Sequence, residues 1–233
     1  GSVQISCGNT RTEGGVSGTS TFDGDLGGSG ALTKVGTGTL NLTGSSGITG
    51  NTNVNAGTLN LTGALASTQL DINNGATLTG TGSALGFIAI NSGGHLALSS
   101  GNTLSTSSLI LTANSNVDAS LATPSTSSLM NIGGNLTLDG NLNVTDAGGF
   151  GIGVYRLFNY IGALTDNGLT VAGVPVGYGL GDILVQTLGN QVNLIVSAPN
   201  TNLRFWDGSQ TIPNGNVDGG TGTWTAGGTN WTN

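Results

Sequence analysis

Charge is what this sequence has least of. Its 233 residues include only four Lys or Arg and eleven Asp or Glu. The four cations, Arg11, Lys34, Arg156 and Arg204, are scattered, so neighbours in sequence cannot assemble a phosphate-binding patch. Nucleic acid, whose binding depends on several cations displacing counterions, is excluded as a partner. Cysteine is nearly absent too: Cys7 is alone, and no internal disulfide supports the fold. One histidine and one cysteine cannot supply the three or four nitrogen and sulfur ligands of a zinc site. No apolar run approaches eighteen residues, so no transmembrane helix is expected. No signal peptide opens the chain; Gly1-Ser2 reads as an expression scar, with any targeting segment already removed.

Low charge does not make the chain disordered. Disordered chains are highly charged and poor in apolar residues, whereas 36% of this one is hydrophobic and its mean hydropathy is +0.12. The 44 glycines follow no three-residue period, which excludes a collagen helix. What remains is a β-rich chain with many tight turns.

The pattern that is present is a repeat. GTLNLTG occurs at Gly38–Gly44 and again at Gly57–Gly63, nineteen residues on. The leucines Leu40, Leu59, Leu78 and Leu96 follow the same spacing, with steps of 19, 19 and 18. Val117 and Leu136 are read as continuing it. A second apolar series precedes the first at Val35, Val54, Ile72 and Ile90, extended by Leu111 and Met130. Gly and Asn fill the short gaps between the series, as in VNAGTL and INNGATL, and tolerate the positive φ of tight corners. Alternation over three to five residues is a strand signal, not an amphipathic helix. Equivalent strands at a fixed period stack in parallel, one coil over the next, as a β-solenoid. A single coil buries too few aliphatic side chains to offset the cost of ordering its backbone, so the coils must fold together. Crossover chirality makes the winding right-handed. The fold class is therefore all-β, a right-handed parallel β-helix, with Leu40, Leu59, Leu78, Leu96, Val35, Val54, Ile72 and Ile90 as its structural ladder.

The chain divides into an N-terminal segment with a first coil (residues 3–30), regular coils of about nineteen residues (31–149), aromatic-rich C-terminal coils (150–197), and a linker opening a further unit (198–233). Nine of eleven aromatics follow Gly149. GVYRLFNY and VNLIV there read as strands, with long loops between them. The region is expected to protect the exposed edge of the last coil.

The motifs GSGALTKVGTGTLNLTG (Gly28–Gly44) and GITGNTNVNAGTLNLTGAL (Gly47–Leu65) resemble the β-strand repeat of bacterial autotransporter (type V secretion) passenger domains. NNGATLTGTG (Asn73–Gly82) and NSGGHLALSS (Asn91–Ser100) match its continuation. YRLFNYIGALTDNGL (Tyr155–Leu169) through QVNLIV (Gln191–Val196) is similar to the C-terminal passenger segment, which in that family helps nucleate folding during export. The resemblance implies a β-helix displayed on a Gram-negative surface or secreted. The outer-membrane barrel is expected elsewhere in the full-length protein, since this fragment has no series of ten-residue amphipathic strands.

The candidate chemical groups read as surface features. Asp23 and Asp25 share one face of an extended segment, the arrangement of an acid–base pair or a calcium site. FDGDLGG lacks the remaining calcium ligands, so the pair is read as a solvated turn. His95 stands where other coils carry Thr58 and Thr77, an outward position, and no G-x-S-x-G elbow accompanies it. Arg156 and Arg204 are read as packing their stems against aromatics. Trp206, Trp224 and Trp231 could stack on sugars but are assigned to burial against a neighbouring unit. Five N-x-T sequons follow automatically from polar-apolar-polar strands. No catalytic, metal or cofactor-binding residue and no cofactor is assigned, and ligand-facing residues are unknown.

The function expected is a non-enzymatic structural stalk and adhesin, acting in attachment or self-association, with a host matrix protein, a glycan or a second copy as partner and no membrane insertion by this fragment. The alternative is the stalk of a larger secreted protease, esterase or polysaccharide-degrading enzyme whose catalytic domain lies outside the fragment. An ice-binding solenoid is set aside because the outward column Asn41, Asn60, Thr79, Ala97 is irregular.

Overall fold

The computed structural model describes residues 17–199, with the backbone of four further short strands at Val3–Gln4, Thr10–Glu13, Phe205–Trp206 and Trp231–Thr232. The linker and further unit read at 198–233, Cys7, Arg204 and the side chains of the three tryptophans lie outside the described residues.

Each regular coil contains three short strands. In one coil these are Ser45–Ile48, Thr52–Val54 and Gly57–Leu61. The next coil repeats them as Ala64–Leu65, Gln69–Ile72 and Ala76–Gly80, each parallel to its counterpart. The third strands form a continuous eight-stranded sheet from Thr19–Phe22 to Thr170–Gly173, parallel throughout. Eight levels at the usual strand separation make a rod about 34 Å long. Higher up, the first and second strands fuse into Ser83–Ile90 and Leu104–Leu111, with a register shift between Ala84 and Phe87. They part again as Met130–Ile132 and Leu136–Leu138. The chain is thus a parallel β-helix, one hydrophobic core running from Leu26 to Val196.

The heptapeptide repeat has a direct structural reason. Leu40 and Leu42 point inward and Asn41 outward, because strand side chains alternate. Leu40 lies opposite Leu59, Leu59 opposite Leu78 and Leu78 opposite Leu96. The glycines close the corners. Gly57 has φ +67, and a Cβ on Gly63 would collide with the Gly44 carbonyl one coil below.

Three positions of the ladder depart from the sequence reading. Val35 is not in the second column: Lys34 pairs with Val54, which leads on to Ile72, Ile90 and Leu111. Alternation from buried Leu32 forces this, since i and i+2 share a face. Val117 is followed by Leu142, not Leu136. The segment after Leu121 carries Pro124 and an exposed stretch at 123–127, which lengthens the coil. Leu136 lies opposite Leu109, and Met130 opposite Leu104 on the first face.

Lys34 brings an ammonium to the inside of the wall, 3% exposed. Its Nζ donates to the carbonyls of Val35 (2.9 Å), Gly36 (2.8 Å) and Ala56 (3.0 Å), using all three donors. Lys34→Met keeps the stem and strands those acceptors, so it is expected to cost about 1–3 kcal/mol in urea unfolding. Burial also pushes the Lys34 pKa below its ordinary 10.5. The unfolded chain therefore holds this proton to higher pH than the folded chain, and the lysine's contribution to stability grows as pH rises from the lowered folded value toward 10.5. The stability gap between wild type and Lys34→Met should widen over that window. A gap independent of pH would show that the ammonium titrates normally.

The C-terminal end is built differently from the coils. Gly153–Tyr160 runs parallel to Met130–Ile132 on one side but antiparallel to Gln191–Val196 on the other. Gln191–Val196 in turn pairs antiparallel with Ile183–Leu188. The segments read as long loops contain Leu164–Asp166 and Thr170–Gly173, which extend the parallel stack.

Candidate functional site

The outward face of the eight-stranded sheet is an array of amides and hydroxyls in register. One column runs through Thr39, Thr58, Thr77, His95, Asn116 and Asn141. Beside it, Asn60 Nδ2 donates to Asn41 Oδ1 (3.0 Å), and Asn41 Nδ2 donates to Thr21 Oγ1 (3.1 Å). At a coil corner, Asn91 Nδ2 donates to Asn73 Oδ1 (2.9 Å), and Asn73 Nδ2 donates to Asn55 Oδ1 (2.8 Å). Identical side chains one coil apart can pass hydrogen bonds along the rod because each amide carries both donor and acceptor.

His95 is half-buried on this face, as its repeat position implies, but it is not isolated. Its Nδ1 lies 2.7 Å from Asp118 Oδ2, and the carboxylate's other oxygen accepts from Asn143 Nδ2 at 2.8 Å. Asp118 and Asn143 escaped sequence reasoning because they lie 23 and 48 residues beyond His95. Only the register, Ala97 opposite Asp118 and Asp118 opposite Asn143, brings them together. Among the described residues no hydroxyl is hydrogen-bonded to His95 Nε2.

The other candidates stay apart. Asp23 and Asp25 are both exposed, in the short connection between Thr19–Phe22 and Leu26–Gly28. Arg156 donates from Nε to Asn193 Oδ1 (2.7 Å) and from Nη1 to Asn159 Oδ1 (3.0 Å), tying the antiparallel hairpin to neutral partners. Among the described residues no three His, Cys, Asp or Glu side chains gather as a metal site. No helix there is long and apolar enough to cross a membrane.

Residues 32–61 match the passenger-associated-transport-repeat family model. That window runs from buried Leu32 in one coil to buried Leu61 in the next, so the motif is one full turn of the rod with its closing strand. Over 143 residues, 60% of this chain, the sequence is 44% identical to the protein named adhesin BmaC autotransporter of Brucella suis biovar 1 (strain 1330). The aligned segment is 4% of that protein's length. The parallel winding and the one-turn motif agree with this similarity: residues 32–61 carry a passenger-associated-transport repeat, and the coils around them are similar to a short part of an autotransporter.

Proposed function

We propose that the chain is a length of cell-surface or secreted passenger that serves as a stalk and adhesin and performs no catalysis. The observation that carries this reading is the array of neutral amides and hydroxyls repeated at one-coil spacing along the rod. Such repetition suits a repetitive partner, a matrix protein, a glycan or a second copy, because each added contact engages at high effective concentration. The adhesin name of the relative supports it. The test is binding of the purified chain to immobilised matrix proteins and glycans, with analytical ultracentrifugation for self-association. Saturable binding or a reversible dimer is expected. A monomer that binds nothing in the panel, or one that cleaves a glycan or ester, overturns the reading.

A further inference from the structure

Outside the eight-stranded sheet, the second face of the rod holds a hollow of about 320 Å³ where the fused strand Leu104–Leu111 meets Leu136–Leu138. Phe87, Ser108, Ile110, Asn135, Thr137 and Thr165 line it. Register places them. Phe87 lies opposite Ser108, and Ile110, Thr137 and Thr165 form one outward column. Beside it, a Cβ on Gly134 would stand 2.7 Å from the Ser107 carbonyl and 2.9 Å from Ser108 Oγ.

Core packing explains none of these side chains. Phe87 is one of only two aromatics before Gly149, yet its neighbour Ile88 takes the inward position and leaves the ring on the outer face. Ile110 is 37% exposed beside it. Around this apolar floor, the hydroxyls of Ser108, Thr137 and Thr165 make no hydrogen bond within the described protein. Asn135 Oδ1 accepts from the Ala163 N–H (2.9 Å), which fixes the carboxamide and leaves its Nδ2 unused. By contrast, Thr112, just past the end of the strand Leu104–Leu111, donates its hydroxyl to the Ile90 carbonyl at 3.0 Å.

We propose that this hollow is a binding site for a neutral saccharide unit. An aromatic and an aliphatic surface accept the C–H face of a sugar ring, and four unspent donors and acceptors at the rim meet its hydroxyls. The charge balance selects the neutral class. No ionised group lines the hollow, Asp71 stands in the Ile110 column two coils below, and the chain carries a net charge of −7. Sialylated, sulfated or phosphorylated ligands would meet that field without a cation to pair with. The proposal deepens the adhesin reading and rests on it for its biological setting.

The experiment is amide chemical-shift mapping on the full chain with methyl glycosides of neutral hexoses and N-acetylhexosamines at millimolar concentration, and sialic acid alongside. Saturable shifts confined to Phe87, Ser107–Ile110, Gly133–Thr137 and Ala163–Thr165 are expected for a neutral sugar. Thr137→Val with Thr165→Val, which keeps strand-forming shape, should weaken binding about five-fold or more through the lost hydrogen bonds. Phe87→Ala should abolish it, with unchanged circular dichroism in both variants. No shift with any neutral sugar, equal affinity in the valine variant, or preference for sialic acid overturns the site. Adhesion measured in parallel separates the two readings. If no neutral sugar binds here but wild type adheres to the panel, the site falls and the adhesin reading stands. If neutral sugars bind here but wild type adheres to nothing, the adhesin reading falls and the site stands.

Discussion

Leu59→Asp is expected to unwind the N-terminal half of the rod while leaving the C-terminal half folded. Leu59 is fully buried between Leu40 below and Leu78 above. A carboxylate there loses its hydration, and the nearest described cation by register, Lys34, already spends its three donors on backbone carbonyls. In a stack, each coil is held mainly by its two neighbours, so damage at one level separates the levels on either side. Below Leu59 the eight-stranded sheet has only the strands Thr19–Phe22 and Thr39–Leu42 among the described residues, too short a stack to stand alone. Above it the column continues through Leu96, Val117 and Leu142 to the hairpin end. Hydrogen exchange should therefore show protection lost through Gly80 and retained from His95 to Val196. Leu59→Ala, which leaves a cavity without a charge, should cost about 2–5 kcal/mol while preserving protection throughout. Uniform protection in the aspartate variant would mean that the coils do not support one another as the ladder requires.

The same ladder shows what the sequence could and could not disclose. Period-two alternation at a nineteen-residue offset is enough to place Leu40, Leu59, Leu78 and Leu96 over one another, because stacking requires every coil to repeat the same inward positions. Hydrophobicity alone misplaced the start of the second column. Val35 is the apolar residue, but parity from Leu32 puts Lys34 inside, and a lysine there is tolerated only because three carbonyls happen to face it. Beyond Leu121 the offset stretches to 25 residues, since the exposed segment at 123–127 adds length without adding a strand, and a fixed period then selects Leu136 in place of Leu142. Strand direction leaves no trace in alternation, so the switch to antiparallel pairing at Gly153–Tyr160 could not be read. Contacts between adjacent columns were equally hidden. His95 with Asp118 depends on the register of the eight-stranded sheet, and Phe87 opposite Ser108 on a register shifted by a bulge.

Tyr155→Ala should be the most damaging change at the hairpin end, costing about 3–5 kcal/mol. The ring is 2% exposed and stacks on Phe150 at 5.2 Å, with Tyr178 edge-on to Phe150 at 5.1 Å. Its hydroxyl accepts from the Gly151 N–H (2.9 Å) and lies 3.1 Å from the carbonyls of both Ala122 and Gly151. Through Ala122 it ties the antiparallel hairpin to the lengthened loop of a coil 33 residues earlier. Tyr155→Phe retains the ring and leaves the half-buried amide of Gly151 without that acceptor, a loss of about 1–3 kcal/mol. Alkali should reproduce part of it. Burial, the largest influence, raises the phenol's pKa above 10.0, so the folded chain keeps this proton to higher pH than the unfolded chain. Its stabilisation is complete below the unfolded value and is lost as pH rises through the folded one. Urea melts should show the wild type converging on Tyr155→Phe in that range, and a constant difference would place the hydroxyl in solvent. The site of first failure is also specified. Leu129 donates its N–H toward the carbonyls of Arg156 and Leu157, so loosening Gly153–Tyr160 strips the partner from Met130–Ile132 and bares a parallel edge open to intermolecular pairing. Aggregation of Tyr155→Ala on mild heating, preceded by exchange at Leu129, would show that the antiparallel end protects the stack.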